Sequence, residues 1–207
     1  MSQRIQFSQH GGPEVLEQID VPVAAPGAGE VRVRNHAIGL NFIDTYFRSG
    51  LYAPPSLPSG LGTEGAGVIE ALGEGVDAFE VGDRVAYATG PLGSYGEHHT
   101  LPARHLVKLP ESVSFEQAAS VMLKGLTTQY LLRQTYELKA GDTILFHAAA
   151  GGVDSIACHW AKAIGARLIG VVGSAEKAVR AKSLGAWETI DRTQEDIVQR
   201  VLELTDG

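Results

Sequence analysis

The sequence predicts an α/β protein in two parts: a β-rich domain over residues 1–120, then a doubly wound parallel sheet over residues 121–207. Three observations carry this. Up to about residue 120 the apolar runs are short and cut by glycine and proline. Beyond it, strand-like and helix-like segments alternate. A glycine-rich turn then joins the first strand of that alternation to the helix after it.

In the first part, RIQF, VRVRNHAIGLN, GAGVIEALG, DRVAYA and HLVKLP alternate in part and recur with turn signals between them. Short antiparallel strands give this pattern. Gly62, Gly65, Gly67, Gly73, Gly75 and Gly82 are expected at turns or sharply bent strands. EALGEGVDAFEVGDRVA reads as strand, turn, strand, with Gly82-Asp83 as a tight turn.

Ser114 followed three residues later by Gln117 predicts a reciprocally capped helix start. KGLTTQYLLRQTYEL reads as a second helical stretch, with Leu126, Tyr130 and Leu131 on one face. TILFHA is then a buried strand. SIACHWAKAIG is a helix ending at Gly165, ARLIGVVG a strand, and AEKAVRAKSLG a helix ending at Gly185. WETID is a third strand, and TQEDIVQRVLELT a last helix. A parallel sheet with helices on both faces needs this order, because parallel neighbours require a crossover.

Composition narrows the function. Apolar residues make up 44% and charged residues 20%, an ordinary globular balance. The net charge of -7 argues against a nucleic-acid partner or an anionic membrane surface, each of which needs a basic field. No apolar stretch reaches the roughly 18 residues of a membrane span. The start lacks a signal-peptide run, and the single cysteine, Cys158, fits a reducing cytoplasm.

The turn in TILFHAAAGGVDSIACHWAKAIGA carries the chemistry. A helix N-terminus there offers free N–H groups and a positive dipole end, which suits a pyrophosphate. Aligned on the dinucleotide fingerprint G-x-G-x-x-G, its three positions are Ala149, Gly151 and Asp154. Only the middle glycine, which lets backbone approach phosphate, is kept. Asp154 adds a side chain where close helix–strand packing is usual, and a negative charge. At about 6 Å and an effective dielectric of about 20, repulsion is roughly 3 kcal/mol per phosphate charge. The structural alternative is an aspartate favoured at a helix start.

An NAD site usually places an acid at the tip of the second strand. Here that strand ends Val171-Val172-Gly173-Ser174, without one. Lys177 is placed to meet a 2′-phosphate, and Arg192, after the third strand, adds a second positive charge. Both point to NADP. Glu176 beside Lys177 is an opposing charge, and solvated surface roles for both cations are the alternative.

The seven histidines form no zinc-binding pattern. His98 and His99 should point to opposite faces of a strand. His147 is read as a packed residue with a polar edge, and Cys158 as a small core residue. No nucleophile elbow or triad pattern is present.

GGPEVL, GLNFIDTYFRSGLY at 39–52, LPSGLGTEGAGVIEALGEGV at 57–76, VGDRVAY at 81–87, FEQAASVMLKGLTTQYLLR at 115–133 and ILFHAAAGGV at 144–153 together resemble the quinone oxidoreductases of the zinc-free branch of the medium-chain dehydrogenase/reductase superfamily. The resemblance implies a chaperonin-10-like β domain followed by a Rossmann domain, with NADPH in the cleft between them. Zinc-containing relatives have a ligand cysteine where Asn41 stands and a ligand histidine where Thr63 stands, so no metal is expected. The loop Asn41, Phe42, Ile43, Asp44, Thr45 and Tyr46 would line the nicotinamide side, with Thr127 and Tyr130 facing the cofactor. Gly151, Gly152 and Val153 would take the pyrophosphate, and Gly173, Ser174 and Lys177 the adenosine phosphate. Arg192 stands where relatives often place an aromatic residue against the adenine, and could stack similarly. Asn41, Tyr46 and, more weakly, Tyr52 are the polar groups expected to meet the acceptor oxygen.

The resemblance further implies hydride or electron transfer from NADPH to a small quinone, and a homodimer paired through the Rossmann sheet edge. Members continue beyond the end of this chain, so it reads as C-terminally truncated, with a partial Rossmann sheet. The competing readings are a 2-enoyl or alkenal reductase of the same superfamily, and a catalytically silent truncated cofactor-binding or structural protein.

Overall fold

The structure is a computed structural model and describes residues 1–205 and 207. It divides into two compact units, Met1–Leu123 and Lys124–Gly207.

The first unit is β-rich. In order come β1 (Ser2–Phe7), β2 (Leu16–Val21), β3 (Glu30–Gly39), α1 (Phe42–Ser49), β4 (Ser59–Gly60), β5 (Glu64–Leu72), β6 (Arg84–Tyr87), β7 (His98–Pro102) and β8 (Leu106–Lys108). Five strands pair antiparallel in the order β7-β3-β5-β6-β8, and a smaller sheet runs β2-β1-β4. Strand alternation builds the core, because successive side chains face opposite sides. Val31 and Val33 of β3 point inward with Ile69, Val85, Tyr87 and Leu101. Arg32, between the two valines, reaches Glu70 at 3.7 Å.

Helix α2 (Phe115–Tyr130) begins in this unit. Its start is the expected capping box. Gln117 N donates to Ser114 Oγ at 3.1 Å, and Ser114 N donates to Gln117 Oε1 at 2.9 Å. Ala118 and Ala119 pack on Ala66 and Ala86, where small side chains let helix and sheet approach closely. The two expected helical stretches are one helix, since nothing between residues 115 and 130 breaks the ladder. It ends in a wider π-type turn over Leu131–Thr135.

The second unit holds β9 (Thr143–His147), α3 (Gly152–Ile164), β10 (Arg167–Val172), α4 (Ala175–Ser183), β11 (Glu188–Asp191) and α5 (Ile197–Thr205). Its three strands are parallel in the order β11-β10-β9. The central strand β10 is buried at every residue from Leu168 to Val172, as a strand covered on both faces must be. Ala157, Cys158 and Ala161 of α3 and Ala181 of α4 share one core with Leu168 and Val172. Cys158 is fully buried, the small core residue expected.

The last helix is shorter than the sequence suggested. Asp191 Oδ1 accepts from Thr193 N at 3.0 Å, and Asp191 N donates to Glu195 Oε2 at 2.8 Å. These side-chain bonds hold residues 191–195 in a turn, the usual competition of aspartate with helix. Asp196 then caps α5, accepting from Gln199 N at 2.8 Å.

Candidate functional site

In the second unit a cavity of about 380 Å³ opens where β9 and β10 end. Ligands of open α/β sheets bind outside the carboxyl ends of the strands, which is this position. Its lining includes His147, Ala148, Gly151, Gly173, Lys177 and Arg192 and, among the described residues, no carboxylate. Arg192 is anchored by its backbone, whose N–H donates to Val172 O at 3.1 Å. Its guanidinium lies over Gly173, where an added Cβ would meet Nη2 at 3.3 Å. Glycine at 173 therefore makes room for Arg192 at the mouth. Lys177 is exposed on the first turn of α4. Ser174 is the N-cap of that helix and accepts from Lys177 N at 3.3 Å.

The turn before α3 is tight. Gly151 N donates to Ala148 O at 2.7 Å. Ala148 has a φ of 59°, a left-handed conformation that costs a residue with a Cβ and often marks a functional site. Gly151 is the N-cap of α3; Gly152 and Val153 are its first two residues. The cavity thus brings together Gly151, Gly173, Lys177 and Arg192. Gly152, Val153 and Ser174 lie at the two helix starts and are not in its lining.

Asp154, also on the first turn of α3, is only 8% exposed. A methyl group at Gly151 would overlap its Oδ2, so the carboxylate folds back over the turn. Burial pushes its pKa up to about 6, against the pull of the Asp154 and Gly151 N–H groups beside it. Burial also pushes the Cys158 thiol up to about 11, with the Asp154 charge adding to the effect.

His147 departs from its expected role. It is exposed and lines the cavity, because it is the last residue of β9 and the chain turns away immediately after it.

In the first unit the segment 41–46 is not a loop. Asn41 is the N-cap of α1, and Phe42–Ser49 is helical. Asn41 N donates to Asp44 Oδ2 at 2.9 Å, which fixes the helix start. Asp44 is buried, and the same oxygen accepts from the Tyr95 hydroxyl at 2.7 Å. Burial first, then the Asp44 carboxylate, raises the Tyr95 pKa well above the usual phenol range. The Asn41 amide is also held: Nδ2 donates to Glu64 Oε2 at 2.6 Å. Glu64 is fully buried and accepts from Leu123 N at 2.8 Å through its other oxygen. A Cβ at Gly39 would fall on the Glu64 carboxylate and the Ala119 carbonyl oxygen, so only glycine fits there.

Tyr46 and Tyr52 meet, with ring centroids 5.3 Å apart, and Phe42 packs on Tyr46 at 5.4 Å. Phe42 is 74% exposed and Tyr52 46%. Ile43 and Thr45 are half-buried, and Thr45 Oγ1 donates to Phe42 O at 2.6 Å. On α2, Thr127 is half-buried and Tyr130 is exposed. Sequence reasoning passed over Glu64 and Tyr95, and it read His147 as packed. An acid inside the glycine-rich apolar run GTEGAGV was the available signal for Glu64. Nothing in the sequence marks Tyr95. Among the described residues no group of three His, Cys, Asp or Glu side chains is arranged to hold a metal ion.

A strand–glycine turn–helix with a cation-lined cavity at the strand ends is the nucleotide end of a dehydrogenase-type Rossmann unit. Known proteins carry the same parts. Residues 27–111 match the alcohol dehydrogenase GroES-like domain family, and residues 152–207 the zinc-binding dehydrogenase family. A quinone oxidoreductase of Pseudomonas aeruginosa is 68% identical over 207 residues, covering 100% of this chain and 64% of that protein. The crystal structure of Escherichia coli quinone oxidoreductase complexed with NADPH superposes with a TM-score of 0.96 at 56% identity, over 99% of this chain and 63% of that one. An NAD-dependent alcohol dehydrogenase structure gives 0.90 at 37% identity, over 99% of this chain and 68% of that one. The chain belongs to the medium-chain dehydrogenase/reductase superfamily. It spans a little under two thirds of the length of the quinone oxidoreductases it resembles.

Proposed function

We propose that this chain carries the adenosine-phosphate end of an NADPH site and belongs to an enzyme that reduces small quinones without zinc. The observation that carries the cofactor reading is the cavity at the ends of β9 and β10. Lys177 and Arg192 line it and, among the described residues, no carboxylate does. A ribose 2′-phosphate gains from two cations and loses next to an acid, so this lining suits NADPH over NADH. A closely similar structure is described as complexed with NADPH, which supports the reading.

When bound, the dinucleotide supplies the hydride. This chain's own residues bind and orient. Gly152 and Val153 offer backbone N–H groups at the start of α3, Gly151 leaves room for the phosphate, and Ser174, Lys177 and Arg192 hold the adenosine phosphate. Asn41, Tyr46 and Tyr52 are the proposed polar groups toward the acceptor oxygen, with Glu64 fixing the Asn41 amide. Phe42, Ile43, Asp44 and Thr45 shape that face, and Thr127 and Tyr130 face the nicotinamide half. Asn41 and Thr63 support the zinc-free reading, since neither is a good zinc ligand. The names of the relatives support a quinone as the acceptor. A cytoplasmic homodimer completes the proposal.

The test is fluorescence titration of the chain with NADPH and with NADH. NADPH should bind at least about tenfold more tightly, a difference of about 1.4 kcal/mol. Lys177→Ala and Arg192→Ala should each reduce that ratio. Equal affinity for the two dinucleotides would overturn the assignment.

A further inference from the structure

We infer that Asp154 sets the affinity of the phosphate site at the start of α3, and that a dinucleotide binds there with the Asp154 carboxyl protonated. The inference rests on the NADPH reading above and adds to it the residue that governs access to the turn.

Three observations carry it. Asp154 sits on the first turn of α3, whose N-cap Gly151 lines the cavity. It is 8% exposed, so water screens its charge poorly. Its Oδ2 lies against Gly151, the residue at which backbone must approach a phosphate. A pyrophosphate drawn to this turn therefore meets a second anion, sequestered from solvent, at close range. Two anions in one poorly solvated place do not both stay charged; the one that can take a proton does so. The phosphodiester groups of a pyrophosphate stay ionised in this range, which leaves the carboxyl as the acceptor.

The other ionisable groups are placed to leave this outcome standing. On α3 the nearest is Cys158, one turn on, whose thiol stays neutral because burial raises its pKa. From β9 comes His147, from α4 Lys177, and after β11 Arg192, all lining the cavity. From α2 the stem of Lys124 packs beside Gly152. None of these groups is among the causes that set the carboxyl's pKa, which burial dominates and raises to about 6. The free chain is thus already part-way to the protonated state near neutral pH.

Binding then takes up a proton. If only the protonated form is competent, apparent affinity scales with the protonated fraction, which falls about a hundredfold between pH 5 and pH 8. NADPH titrations of the wild-type chain at several pH values should show this loss. Asp154→Asn keeps the side-chain size without the charge and should bind with little of that dependence, as should Asp154→Gly. The 2′-phosphate of NADPH also titrates in this range; its contribution is what remains in Asp154→Asn and is absent from a wild-type titration with NADH, and His147→Gln is the control for the ring beside the cavity. Calorimetry in buffers of different ionisation enthalpy should show more proton uptake in the wild type than in Asp154→Asn. Carbon NMR of the Asp154 carboxyl should show its midpoint rising when NADPH is added. A wild-type pH profile that matches Asp154→Asn, with binding intact, overturns this inference and leaves the NADPH reading standing. No binding by any of the three proteins at any pH overturns both. Binding by the two variants alone, at every pH, overturns the protonation step, since the wild-type carboxyl is largely protonated at pH 5.

Discussion

Lowering the pH should loosen the first unit while tightening the turn in the second. His99 is 6% exposed, its ring 5.3 Å from that of Tyr87. Burial depresses its pKa to about 4, with only the Pro91 carbonyl acting the other way. In the unfolded chain a histidine titrates near 6.5. Between about pH 6.5 and pH 4 the unfolded state therefore binds the extra proton, and the first unit loses stability as pH falls. The full loss is about 3 kcal/mol, complete once the pH is below the folded value. Asp154 has the opposite sign. Its folded pKa, about 6, lies above the ordinary carboxylate range, so the folded state holds the proton in that window. The second unit therefore gains stability as pH falls from about 6 toward 4, by roughly 2 kcal/mol once partial solvent screening is allowed for. Hydrogen exchange resolved by residue is the assay, because a single unfolding curve would sum two opposing terms. Amides of β3, β5 and β7 should lose protection from pH 6.5 to pH 4.5, after correction for intrinsic exchange, while those of β10 should not. His99→Gln should flatten the first trend and leave the second alone. Identical trends in the two units, or a His99→Gln slope equal to wild type, would refute the reasoning.

Two further outcomes follow from single residues. Cys158 is fully buried and its thiol is pushed up to about 11. A thiol reagent at pH 8 should modify the native chain at least about a hundredfold more slowly than the urea-unfolded chain, since the thiolate is the nucleophile; equal rates would place the thiol outside the core. Ser174 accepts from Lys177 N at the start of α4. Ser174→Ala should cost about 1 kcal/mol in urea denaturation, the usual worth of an N-cap, and a change below about 0.3 would show that the cap is not used.

Much of the architecture is legible in local pattern. The alternation after residue 140 marks every strand and helix of the second unit, and the apolar run LIGVV of β10 is buried on both faces, whereas TILFHA, expected as a buried strand, forms β9 with Leu145 and His147 exposed. Ser114 and Gln117 announce the start of α2, since a capping box is a contact over three residues. Misreadings occur where a local pattern permits two outcomes. The resemblance implies a loop at 41–46, yet Asn41 and Asp44 make it a helix start. TQED reads as helix, yet Asp191 and Glu195 bond to nearby backbone and hold a turn.

By itself the sequence determined the two-part order, the glycine turn ahead of α3, the missing acid at the tip of β10 and the two cations beyond it. Each is a property of neighbours along the chain. Only the tertiary structure decided that Glu64 is buried against Asn41 and Leu123, which lie 23 and 59 residues away. It alone brought Arg192 over Gly173, turned His147 toward the cavity and sank Asp154 into the turn. The physical reason is common to all four. Burial and charge environment are set by groups distant in sequence, and whether a side chain meets water or another strand depends on how the sheets close.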